Sequence, residues 1–109
     1  MTARPLPPSL WDLIASVEAE EGVQTLHLAV GKPPLVRIEG EGLRPIHESD
    51  PPLTNRDLQI ILDRIVDPDH WNRLESMGEG DLSLVGGTGR PIRLSLFRNT
   101  GAWSAVVHL

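Results

Sequence analysis

Residues 26–40 constrain the fold more than any other stretch. Leu26, Leu28 and Val30 alternate with His27 and Ala29, Gly31-Lys32-Pro33-Pro34 interrupts the pattern, Val36 and Ile38 resume it, and Gly40 closes it. A period of two sends alternate side chains to opposite faces of a strand. Pro33 and Pro34 cannot donate to a ladder, and Gly31 can adopt backbone angles closed to other residues. Two strands with one apolar face, joined by a tight reversal, are therefore expected. Gly40-Glu41-Gly42 followed by Leu43 to Ile46 adds a second turn and a third short strand, which makes a small meander.

The flanking segments carry helical signals. Ser9 can cap a helix in which Leu10, Leu13, Ile14 and Val17 share one face, Asp12 completes a Ser-x-x-Asp pattern, and Gly22 is a stop. After a polar, proline-containing connection from His47 to Leu53, Thr54 opens a second helix with Leu58, Ile61, Leu62 and Ile65 on one side. Asp67-Pro68 reads as a cap followed by proline at the first helical position, opening a third helix with Trp71 and Leu74 inward and Gly78 at its end. Asp81 to Val85, Pro91 to Arg98 and Ala102 to His108 read as strands, with Gly86-Gly87-Thr88-Gly89 as a hairpin turn between the first two. Helix, strands, two helices, strands is an α+β order, with a mainly antiparallel sheet, an N-terminal helix and a central helix pair. The chain of 109 residues accommodates one domain, expected at 9–109 behind a flexible proline-rich start at 1–8.

Composition removes several classes of function. No cysteine is present, so disulfides, thiolate zinc sites and cysteine nucleophiles are excluded and a reducing compartment is suited. A net charge of −5 with scattered basic residues argues against nucleic-acid binding. No run approaches the roughly 20 apolar residues of a membrane span, and Met1 to Pro8 lacks the apolar core of a signal peptide. A cytoplasmic chain without membrane insertion is expected.

The candidate chemistry is sparse. His27, His47, His70 and His108 are dispersed, none at a metal-ligand spacing, although His27 and His108 both fall on expected strands where they can converge. Gly86 to Arg90 lacks the Lys-Ser/Thr ending and following helix of a phosphate loop. Glu75, Glu79 and Asp81 read as solvated carboxylates of an exposed turn, and no serine sits in a nucleophile elbow. Trp11, Trp71, Trp103 and Phe97 are read as core or interface packing. Arg37, Arg93 and Arg98 stand out, because a guanidinium on a rigid strand is pre-oriented for an anion or carboxylate; Arg37 and Arg93 alternate opposite to the aliphatic positions. The competing reading is a solvated face with cross-strand ion pairs.

Taken together, Leu26-His27-Leu28, Gly31, Pro33-Pro34, Arg37 and Gly40, then Glu79-Gly80-Asp81-Leu82-Ser83, then Arg93-Leu94-Ser95-Leu96-Phe97 and Gly101 resemble a known pattern. They are similar in order and spacing to the N-terminal domain of the type IV pilus retraction ATPases, the PilT-like members of the type II/IV secretion ATPase superfamily. The resemblance implies a PAS-like domain that precedes a RecA-like motor domain, packs against that domain in cis or on a neighbouring subunit of a hexamer, and offers arginines to the nucleotide region. Arg93, Arg98 and Arg37 become the candidates for nucleotide or subunit contacts. Leu26, His27, Leu28, Gly31, Pro33, Pro34, Gly40, Glu79, Asp81 and Phe97 are structural residues of the motif. Gln24-Thr25 replaces the family's Ser-Asp, Pro91 its first strand arginine, and His108 an arginine near the linker. Walker A and B motifs are absent, so no catalysis is expected of these residues alone, and ATP and magnesium are implied only for the motor domain. The resemblance further implies twitching-motility or secretion machinery as partner and a cytoplasmic position at the inner-membrane base of such a machine. The alternative is a stand-alone PAS-like regulatory module that binds a protein or small ligand.

Overall fold

The computed structural model describes residues 8–85, 89 and 91–109. Residues 1–7 of the start expected at 1–8 and residues 86–88 of the turn expected at 86–89 lie outside the described residues. The element order is α1 (Leu10–Val17), β1 (Val23–Ala29), β2 (Leu35–Ile38), β3 (Gly42–Pro45), α2 (Asn55–Asp63), α3 (Pro68–Met77), β4 (Glu79–Val85), β5 (Pro91–Asn99) and β6 (Ala102–His108). This is the α+β architecture expected from the pattern.

Local chemistry accounts for each helix. Ser9 accepts a hydrogen bond from the Asp12 amide at 3.1 Å at the start of α1. In α2 the Thr54 hydroxyl accepts from the Asp57 amide, and the Asp57 carboxylate accepts from the Thr54 amide, a reciprocal capping box. Asp67 caps α3, Pro68 occupies its first turn, and Gly78 ends it in the left-handed region at φ 76°. That reversal at Gly78 starts β4 at once, at Glu79, two residues earlier than the alternation indicates. Glu79 and Asp81 therefore sit on a strand and not in an exposed turn. Helix α2 ends at Asp63, so Ile65 lies beyond it, and Val66 fills the buried position.

All strand pairings are antiparallel, in the order β3-β2-β1-β6-β5-β4. Two three-stranded meanders thus meet at their first and last strands, β1 and β6. Because β3 and β4 are the opposite edges, the connection between them must cross the whole sheet, about 24 Å at the usual strand spacing. Two helices of 9 and 10 residues, roughly 14 and 15 Å long, make that crossing. They pack on β6 and β4 respectively. The face they cover holds the core: Leu26, Leu28, Leu94, Leu96, Ala105 and Val107 meet Leu10, Leu58, Ile61, Leu62 and Leu74. At Gly80 the helix comes so close that an added Cβ would lie 2.5 Å from Leu74 Cδ2.

The turn of residues 31–34 is clasped by the loop before α2. Gly31 N–H donates to the Leu53 carbonyl at 2.8 Å, and Leu53 N–H donates to the Lys32 carbonyl at 2.9 Å. Gly31 has φ 88°, which accounts for the glycine. Strand β1 ends at Ala29, so Val30 leaves the apolar face and is exposed.

Candidate functional site

The second face of the sheet, opposite the one that carries the core, holds most of the polar side chains of the strands. Register places Leu43, Arg37, Thr25, His108, Arg93 and Ser83 in one row across six strands, from β3 to β4. The adjacent row is Pro45, Leu35, His27, Val106, Ser95 and Asp81. Alternation sends these side chains away from the helices, because on β1, β2, β5 and β6 their neighbours along the strand include the buried aliphatics. Most of the face is thus specified by the same residues that specify the core, read at the odd positions.

Three hydrogen bonds order this surface. The Ser95 hydroxyl donates to Asp81 Oδ1 at 2.7 Å and lies 3.2 Å from His108 Nε2. A hydroxyl has one proton, and Ser95 gives it to the carboxylate; His108 Nε2 must then carry the proton of the second contact. The chain His108–Ser95–Asp81 therefore spans β6, β5 and β4 with its polarity fixed. It is not the arrangement of a serine nucleophile, in which imidazole accepts the serine proton. Thr25 Oγ1 and His27 Nε2 are 2.7 Å apart on β1. Burial, the Arg37 charge and His108 together hold the His27 pKa below its ordinary value, which favours the neutral imidazole.

The three candidate arginines separate. Arg37 and Arg93 are exposed on the open face, three strand steps apart, about 14 Å between Cα atoms. Thr25 and His108 lie between them, and among the described residues neither guanidinium has an ion-pair partner. Arg98 is on the helix side. It donates to the Glu75 carbonyl in the last turn of α3 at 3.1 Å and lies 5.5 Å from the centre of the Trp103 ring. A cation at that helix terminus meets the negative end of the dipole, and Trp103 in turn meets Trp71 edge-on at 5.5 Å. Arg98 thus ties α3 to β5 and β6.

The motif residues divide in the same way. Leu26 and Leu28 are core, Gly31, Pro33 and Pro34 form the clasped turn, and Gly40 has φ 81° between β2 and β3. Glu79 pairs with Phe97 in the ladder, and Phe97 is partly exposed on the open face. Trp103 is buried as packing requires, whereas Trp11 faces outward on α1. His27 and His108 lie on the paired strands β1 and β6, His27 matched with Val106 and His108 with Thr25. The Asp81–Ser95 link was not visible in the spacing, since the two are 14 residues apart and meet through ladder register. Among the described residues no group of three or more histidine or acidic side chains could hold a metal ion, and no helix is long and apolar enough to cross a membrane.

No protein-family profile and no curated protein sequence matches the chain. Its fold does match solved structures. The pilus retraction motor PilT with bound ADP superposes with a TM-score of 0.81 and 24% identity, over 94% of this chain and 29% of that one. The ATPase DotB of Legionella pneumophila superposes with a TM-score of 0.66 and 17% identity, over 99% of this chain and 31% of that one. The chain therefore spans under a third of the length of either ATPase.

Proposed function

We propose that this chain is the N-terminal domain of a PilT-like pilus-retraction or secretion ATPase. It packs against a RecA-like motor domain, in cis or on a neighbouring subunit, and serves hexamer assembly and communication with the nucleotide site. The observation that carries this reading is the open sheet face, with Arg37 and Arg93 lacking an ion-pair partner among the described residues, on strands of a fold that superposes on ADP-bound PilT. A rigid sheet fixes where each guanidinium starts, which lowers the cost of meeting an anion or carboxylate across an interface. Catalysis, ATP and magnesium belong on this reading to the motor domain, and the cytoplasmic base of a pilus or secretion machine is its setting.

The test starts with the gene. The reading frame past Leu109, or a gene beside it, is expected to encode a RecA-like domain. That domain should bind this chain, and Arg93→Ala or Arg37→Ala should lower either the affinity or the assembled ATPase rate about tenfold, in line with the loss of a charged interfacial contact. Absence of such a motor sinks the proposal.

A stand-alone PAS-like regulatory module is the second reading. The chain His108–Ser95–Asp81 favours it, because it runs from β6 to the β4 edge of the open face and offers an ordered set of polar groups to a protein or small ligand. Thermal shift with ATP, ADP and cyclic dinucleotides discriminates in part: stabilisation by a nucleotide in the chain by itself supports the module.

A further inference from the structure

The two edges of the sheet are built differently. Strand β3 is four residues long, ends in Pro45, and has Arg44 ion-paired to Glu20. Short length, proline and a committed charge are the features that keep an edge from pairing. Strand β4 has seven residues, Glu79 to Val85, without proline, and no further strand pairs with its outer side among the described residues. Its last residue, Val85, is 70% exposed.

We propose that β4 pairs with β4 of a second copy of this chain, antiparallel about a two-fold axis at Leu82. In that register Glu79 lies opposite Val85 of the second copy, Gly80 opposite Leu84, Asp81 opposite Ser83, and Leu82 opposite itself. All seven residues pair, both acids face uncharged partners, and each side chain keeps its own face of the sheet. Shifting the pairing by two residues toward the N-terminus sets Asp81 against Asp81, a repulsive contact. The pairing about Leu82 gives a continuous sheet with both helix layers on one side and both open faces on the other. This surface lies at the far edge from β3 and is independent of the function proposed above.

Sedimentation equilibrium of the whole chain over a concentration series tests the pairing. A monomer–dimer equilibrium is expected. Ser83→Asp, an exposed change, sets like charges opposite each other twice about the axis and should raise the dimer Kd roughly tenfold, whereas Ser83→Lys should lower it. Circular dichroism of both variants should match the parent, which separates lost pairing from lost fold. A parent chain that is monomeric throughout the series, or two variants with equal Kd, overturns the proposal. So does a monomer that takes up an extended peptide along β4 in place of a second copy.

Discussion

The two faces of one sheet are made by the same strands and answer to different physics. On the helix side, Leu26, Leu28, Leu94, Leu96 and Val107 are essentially inaccessible to water, and a change there is felt by every neighbour. On the open side, Arg37, Thr25, His108 and Arg93 sit in a row, the two arginines exposed and Thr25 and His108 half-buried. The difference teaches that stability and recognition are carried by alternate positions along each strand. Substitution can therefore probe one with little effect on the other.

The largest effect should come from the covered face. Leu96→Ala removes a buried side chain from the middle of β5 and should cost about 2–5 kcal/mol in urea unfolding. A cost under 1 kcal/mol would break the division between the faces. Gly80→Ala pushes a methyl group onto Leu74 in the packed layer and should cost about 1–3 kcal/mol by the same measurement. Thr54→Ala opens the capping box of α2 and should cost about 1 kcal/mol, which tests whether the helix layer is held by its caps as well as its contacts. Arg37→Ala and Arg93→Ala should each stay within about 0.5 kcal/mol of the parent, because both side chains are exposed and neither has an ion-pair partner among the described residues.

The smallest effect sharpens the comparison through pH. The folded pKa of His27 is lowered, so the unfolded chain takes up its proton first as pH falls. Stability contributed by neutral His27 is full above the ordinary histidine value and is lost as pH falls from there through the lowered folded value. His27→Gln should flatten that small slope in unfolding measured between neutral and mildly acidic pH, and an unchanged slope would remove His27 from the account.

Much of this was readable because it is local. Ser9 with Asp12, Thr54 with Asp57, and Asp67-Pro68 with Gly78 mark helix ends within a few residues, and the structure uses each of them. The alternation of Ile92, Leu94 and Leu96 likewise set the buried face of β5. The errors fall where tertiary geometry intervenes. Val30 continues the apolar alternation but lies past the end of β1, since the clasp from Leu53 has already turned the chain. Ile65 continues the helical period, yet α2 has stopped. Arg98 and Arg93 look alike in the sequence, and an odd spacing of five puts them on opposite faces. The bond between Ser95 and Asp81 depends on ladder register, which spacing alone does not encode.

The central pairing of β1 with β6 also places the chain in time. Thr25 is matched with His108 and Ala29 with Ser104, so the middle of the sheet joins residues about as far apart as this chain allows. Contacts between distant residues are reached late and slowly. On a ribosome, the first meander and the helices would emerge well before the strand that unites the halves, leaving the apolar side of β1 without its neighbour until β6 appears. The closing strand is thus a checkpoint of synthesis: a chain broken off after Asn99 would hold two half-sheets and no centre.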